Sequence, residues 1–129
     1  MPSAIIVDDS PLIRMQLRTI LGRLGCAIVA EGASGDELRT LYTTHRPDLV
    51  TLDVVMPGKD GVTAAIELLA EFPEARLVMC TSLATRDKVI ACQRAGVRNY
   101  LLKPFDQNRA EQILRFALAP PIEQVRSTP

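Results

Sequence analysis

The chain has no tryptophan, two tyrosines and three phenylalanines among its 129 residues, too few for an extended aromatic platform that would stack bases or a flavin ring. It has no excess of either charge: 15 Lys+Arg stand against 15 Asp+Glu, which argues against a protein that coats nucleic acid or an anionic membrane. No stretch approaches the ~20 apolar residues of a membrane-spanning helix. The N-terminal Met-Pro-Ser-Ala lacks the charged start and long apolar run of a signal peptide. The three cysteines, Cys26, Cys80 and Cys92, form no CxxC pair and leave one odd thiol. They read as reduced packing residues, and the expected compartment is the cytoplasm. What is present is a 47% hydrophobic fraction, ordinary for a globular domain and beyond what disorder allows. A single domain of this length buries roughly two thirds of its unfolded surface, so no metal or disulfide staple is required.

Apolar runs alternate with helical patterns along the chain. Ala4–Val7 is a short apolar run ending on Asp8-Asp9, and Ser10-Pro11 reads as an N-cap followed by proline at the first helical position. Ile13, Leu17, Ile20, Leu21 and Leu24 mark one helix face, with Gly25 as a left-handed stop. Cys26–Ala30 is a second strand, and the Ser34/Glu37 spacing of a capping box opens a helix with Leu38, Leu41 and Tyr42 inward. His45 is expected on a surface loop. Asp48–Leu52 is a third strand, ending on Asp53; Val62, Ala65, Ile66 and Leu69 mark a third helix up to Pro73. Arg76–Cys80 is a fourth strand, ending on Thr81-Ser82, and a fourth helix runs from about Thr85 to Ala95 and closes at Gly96. Asn99–Leu102 is a fifth strand, ending on Lys103-Pro104, and Ala110, Ile113, Leu114, Ala117 and Leu118 form the stripe of a fifth helix. Strands alternating with helices imply right-handed βαβ units and one parallel sheet covered on both faces. The expected organisation is one domain over 1–119 and a C-terminal tail over 120–129, opened by Pro120-Pro121.

In an open α/β sheet, ligands bind beyond the carboxyl ends of the strands, where the strand order reverses. Here those ends carry Asp8, Asp9, Asp53, Thr81 and Lys103. Each has an ordinary reading of its own: Asp9 or Ser10 caps a helix, Asp53 starts a turn, Thr81 and Ser82 are caps, and Lys103 is a surface charge. Together they make a different case. Clustered carboxylates repel unless a cation intervenes, and Mg²⁺ (or Mn²⁺) suits a site of few carboxylates, waters and a phosphate. A remaining aspartate can act as a nucleophile toward phosphorus, while a lysine and a hydroxyl neutralise and position the phosphoryl oxygens.

The same residues resemble a known family, the receiver domains of two-component response regulators. The likeness spans about residue 4 to residue 119. It rests on Val7-Asp8-Asp9-Ser10, on the LDxxMPxxDG segment from Leu52 to Gly61, on Thr81-Ser82 and on Tyr100-Leu101-Leu102-Lys103-Pro104-Phe105. The resemblance implies a flavodoxin-like doubly wound sheet of five strands in the order 2-1-3-4-5 with five helices. It implies Asp53 as the phosphoryl acceptor, and Asp8, Asp9, Asp53 and the Val55 backbone carbonyl as metal ligands. Thr81 and Lys103 are the phosphoryl-binding pair, Tyr100 the switch aromatic, and the bond before Pro104 a cis candidate. Gly61 is expected to supply a permissive backbone beside the site. The implied partners are a sensor histidine kinase or phosphotransfer protein and a downstream protein target, without direct nucleic-acid or membrane contact, the protein being a monomer or a phosphorylation-dependent dimer.

On this reading the chain is a signalling domain that assists its own phosphorylation and dephosphorylation rather than an enzyme with turnover. Its output face is the fourth helix, fifth strand and fifth helix, with Val89, Ile90, Tyr100 and the off-stripe Phe116 as an apolar docking patch; local packing is the alternative for Phe116. Val55 and Leu83, each two residues past a site residue, are apolar and cannot orient water, so slow self-dephosphorylation is expected. The tail is too short for an output domain, so the chain is either a stand-alone regulator or a receiver cut from a longer one. A haloacid-dehalogenase-type phosphatase would place its acids as DxD, and a flavodoxin-like electron carrier would need a phosphate-cradling loop where Asp8-Asp9 stand.

Overall fold

The structure is a computed structural model describing residues 1–120. Strands β1 (Ser3–Val7), β2 (Ala27–Gly32), β3 (Leu49–Asp53), β4 (Leu77–Thr81) and β5 (Asn99–Leu102) form one sheet in the order β2-β1-β3-β4-β5, parallel throughout. Helices α1 (Pro11–Arg23), α2 (Leu38–His45), α3 (Gly61–Glu71) and α4 (Val89–Ala95) connect the strands, and α5 (Gln107–Leu118) follows the last. The flavodoxin-like class and strand order expected from the sequence are those observed. Among the described residues no helix is long and apolar enough to cross a membrane.

The period-two geometry of a strand divides the core in two. Ile5, Val7, Val50, Leu52, Leu77 and Met79 pack against α2, α3 and α4, while Ala4, Ile6, Leu49, Val78, Cys80 and Leu101 pack against α1 and α5. Every residue of β3 and β4 is buried, which explains why those strands carry near-continuous apolar runs instead of alternation. The edge strand β2 is bulged: the β1–β2 register skips Val29, which is 39% exposed. Such a bulge discourages edge-to-edge pairing with another chain.

Local chemistry sets the helix ends. The Ser10 hydroxyl accepts from the Ile13 N–H with Pro11 at the first helical position, and Gly25 follows the helix at φ 77°. Several expected boundaries shift. β2 runs on to Gly32, because the Gly32 carbonyl accepts from the Asp8 N–H at 3.0 Å. A 3₁₀ turn, Gly35–Glu37, precedes α2, and His45 is its exposed last residue instead of lying in a loop. Arg46 then adopts a left-handed conformation (φ 43°) and stacks its guanidinium over Phe72 and Tyr42, 4.4 and 5.5 Å from the ring centroids, a cation–π contact that offsets the backbone cost. On α3 the inward face is Ala64, Ala65, Leu68 and Leu69, and Ile66 is 39% exposed. The expected fourth helix divides into a 3₁₀ segment, Leu83–Lys88, and a short α4. There the Thr85 hydroxyl takes the Ser82 N–H at 3.0 Å, one half of a capping box that starts the 3₁₀ segment. All three cysteines are buried free thiols.

Candidate functional site

The strand order reverses between β1 and β3, and the residues at that rim are acidic. Asp8 follows β1, Asp53 ends β3, Thr81 ends β4 and Lys103 follows β5. The Lys103 Nζ stands 2.9 Å from Asp8 Oδ2 and 3.1 Å from Asp53 Oδ1. Asp8, Asp53 and Thr81 are buried, while Asp9 faces solvent. One carboxylate oxygen from each of Asp8, Asp9 and Asp53 lies within 4.8 Å of the others. The site therefore brings together five of the residues that the sequence put forward: Asp8, Asp9, Asp53, Thr81 and Lys103.

The electrostatics follow from this crowding. Burial first, then the Asp8 charge, hold Asp53 above the usual carboxylate range, against the opposing pull of Lys103 and the Val55 backbone N–H. Burial disfavours the Lys103 ammonium, but hydrogen bonds and charges from Asp8 and Asp53 outweigh it and raise its pKa. A single ammonium thus serves two carboxylates, and a third sits beside them. An all-oxygen donor set, partly open to solvent, fits a hard divalent cation such as Mg²⁺, which keeps waters of its own and tolerates few protein ligands.

Close backbone contacts hold the acceptor strand's exit in place. The Gly61 N–H donates to the Val54 carbonyl at 2.9 Å, and the Val54 N–H to Cys80 at 3.1 Å. A Cβ on Gly61 would meet the Asp53 carbonyl oxygen at 1.7 Å. Gly61 is thus required for close approach, not for the backbone freedom expected of it; its φ lies outside the left-handed region. Gly58 does need such freedom, at φ 72°, and the neighbouring Lys59 N–H donates to Asp36 at 3.1 Å. On the far side the Lys103 N–H donates to the Thr81 carbonyl at 2.7 Å, and the Lys103–Pro104 bond is cis.

The Thr81 hydroxyl pairs with the Thr85 hydroxyl at 2.8 Å. Tyr100 is half-buried, its hydroxyl donating to the Val97 carbonyl at 2.9 Å, and burial pushes its pKa up to about 12. Val89 and Tyr100 pack against the core under α2, α3 and α4, Ile90 is 52% exposed, and Phe116 is half-buried on α5 across the sheet. The four residues expected to form one patch therefore flank β5 from both faces, with Val89 committed to packing. Val55 and Leu83 are exposed beside the site, at 45% and 71%.

Three contributors escaped the sequence reading. Arg14 donates from Nη1 to the Asp8 carbonyl at 2.6 Å and sets Nε 3.3 Å from Glu31. Glu31 is also forked by Arg18, whose hydrogen bond holds it below the usual carboxylate range. Thr85 is the third. A signal for Arg14 existed: a helical side chain leans toward the N-terminus of its helix, so an arginine in the first turn of α1 reaches back to the end of β1.

Comparison with known proteins agrees with this geometry. The family model described as response regulator receiver domain matches residues 4–115. Chemotaxis protein CheY of Bacillus subtilis is 36% identical over 114 residues, which cover 88% of this chain and 95% of that protein. Transcriptional regulatory protein PdtaR of Mycobacterium tuberculosis is 42% identical over 101 residues, covering 78% of this chain but 49% of that protein. Among solved structures, a crystal structure of the CheX-CheY-BeF3-Mg+2 complex from Borrelia burgdorferi matches with a TM-score of 0.84 at 30% identity, covering 92% of this chain and 90% of that one. With its rim of three aspartates, a threonine and a lysine on a β2-β1-β3-β4-β5 sheet, the chain belongs to the receiver domains of response regulators.

Proposed function

We propose that Asp53 accepts a phosphoryl group from a phosphohistidine of a sensor kinase or phosphotransfer protein. One observation carries the reading: Lys103 Nζ bridges Asp8 Oδ2 and Asp53 Oδ1 where Asp9 also converges. An Asp53 oxygen attacks phosphorus, the P–N bond breaks, and the imidazole leaves and takes up a proton. Asp8, Asp9, Asp53 and the Val55 carbonyl would hold a divalent cation, which supplies charge neutralisation at the phosphoryl oxygens. Lys103 moves its ammonium onto the phosphoryl group, and the Thr81 hydroxyl turns from Thr85 toward it. Space vacated behind Thr81 admits the Tyr100 ring, and the new charge shifts the population toward that state.

The output is a protein contact made on the faces of α4, β5 and α5, with Ile90, Tyr100 and Phe116 as apolar elements; the Borrelia complex supports a protein target for receivers of this kind. Phe116→Ala should weaken binding of the phosphorylated chain to its target, and unchanged affinity removes Phe116 from that face. Coverage of 95% of the Bacillus protein supports a single-domain regulator. The second reading, a receiver joined to an output domain, is favoured by the 49% coverage of PdtaR; the mass of the native protein on an immunoblot separates the two. The central test is phosphotransfer from radiolabelled histidine kinases in Mg²⁺. The wild-type chain should be labelled by one kinase in preference to others and Asp53→Asn by none. Label on Asp53→Asn refutes the assignment.

A further inference from the structure

Asp8 is held at every polar atom. Its N–H donates to Gly32 at 3.0 Å, Oδ1 accepts from the Ser10 N–H at 2.9 Å, Oδ2 accepts from Lys103, and its carbonyl accepts from Arg14 at 2.6 Å. Asp9 is the opposite case: it is exposed and its carboxylate has no hydrogen-bond or ion-pair partner among the described residues. Its direction is set by its backbone. The Asp8 carbonyl belongs to the rigid peptide plane that joins Asp8 to Asp9, so whatever fixes that oxygen fixes the plane from which Asp9 departs. The grip comes from Arg14, and Arg14 is itself braced. Its Nε faces Glu31 on β2 at 3.3 Å, and Glu31 is held by the Arg18 fork at 2.8 and 3.0 Å. Glu31 also neutralises a guanidinium that would otherwise stand uncompensated beside a cation site.

We propose that Arg14, braced by Glu31, is a positioning residue for the divalent-cation site, locking the Asp8–Asp9 peptide so that the Asp9 carboxylate points toward Asp8 and Asp53. The inference rests on the reading of these three acids as a cation site. Arg14 touches neither the phosphoryl group nor the reacting oxygen. Partners one step removed from a metal typically tune affinity by 10–100-fold, and Arg14 belongs to that class.

The test is Mg²⁺ binding by titration calorimetry on the unphosphorylated chain, with melting in chelator as the measure of folding. Arg14→Gln should weaken Mg²⁺ binding about tenfold with little change of melting temperature. Arg14→Lys should weaken it similarly, because an ammonium cannot reach the carbonyl and Glu31 together as a fork does. Glu31→Gln should shift affinity in the same direction and add little to Arg14→Gln when combined with it. Arg18→Gln loses its own, more exposed ion pair with Glu31 but leaves the Arg14–Glu31 pair and the Arg14–Asp8 contact in place, and should bind Mg²⁺ within about twofold of wild type. A pure charge effect would leave Arg14→Lys unchanged and make Arg14→Gln bind more tightly, and either result overturns the proposal. If the wild-type chain shows no saturable Mg²⁺ binding, or if Asp9→Asn binds as well as wild type, the cation-site reading itself fails, and that failure is visible without any Arg14 variant.

Discussion

Replacing Gly61 by alanine opposes two effects of known sign. Gly61 opens α3 and has no left-handed φ; from the backbone alone, Gly→Ala there should stabilise by ~0.5–1 kcal/mol through lower unfolded-state entropy. The packing says the reverse. The new Cβ would lie 1.7 Å from the Asp53 carbonyl oxygen, 2.7 Å from its carbon and 3.1 Å from the Val54 Cα. All three are backbone atoms of a buried strand end, so no side chain can rotate away, and more than about 1 Å must open to reach ordinary contact. Overpacking of this kind costs about 1–3 kcal/mol, and pulling Gly61 off the Val54 carbonyl loses about 1 kcal/mol more. The expected net loss is about 2 kcal/mol, or a fall in melting temperature on the order of 10 °C for a domain this size. Thermal and urea denaturation followed by far-UV circular dichroism in chelator measure it. Gly22→Ala is the internal control: it lies in α1 with nothing within 4 Å of its Cβ, and should gain ~0.5–1 kcal/mol. A Gly61→Ala protein as stable as wild type, or stabilised like Gly22→Ala, would refute the close-approach argument.

Asp53→Asn should raise the melting temperature at neutral pH in chelator. Burial and Asp8 raise the folded-state pKa of Asp53, so the folded chain binds that proton more tightly than the unfolded one. The resulting penalty grows as pH rises from the ordinary carboxylate value through the elevated one, and is absent in acid; an equal gain at all pH values contradicts this origin. Tyr100, raised to about 12 by burial, should contribute stability below the ordinary tyrosine value that is lost as pH climbs from there to about 12. Phenolate absorbance at 295 nm that appears in full near pH 10 in the folded protein would count against it. Finally, Val55 and Leu83 are exposed and apolar beside the acceptor, so the acyl phosphate should persist. Val55→Asn, by adding one hydrogen bond to the attacking water worth ~1 kcal/mol, should speed loss of the label about fivefold, and no acceleration in a timed decay of radiolabel would sink that account.

Chain order and local chemistry determined much of this protein by themselves. The apolar runs of β1, β3 and β4, the Ser10-Pro11 start of α1 and the Gly96 stop of α4 are local signals that tertiary contacts had no reason to override. The five site residues were legible for a related reason. In a parallel sheet every strand ends at the same rim, so a polar residue just after an apolar run is placed at the site by topology alone.

What the sequence left undecided depends on atoms meeting across long separations. Whether Ile66 or Leu68 faces the core depends on the rotation of α3 against the sheet, and both are apolar. The fourth helix opens as a 3₁₀ segment behind the Ser82–Thr85 capping box and turns α-helical only after Lys88, a division that propensity does not record. The close approach of Gly61 to Asp53, the Lys103 bridge across 95 residues of chain to Asp8, and the brace from Glu31 through Arg14 exist only once the sheet has assembled. The sequence chose which groups reach the rim; the packed structure decided the distances between them, and at these short ranges distance decides the charge each group carries and the cation it accepts.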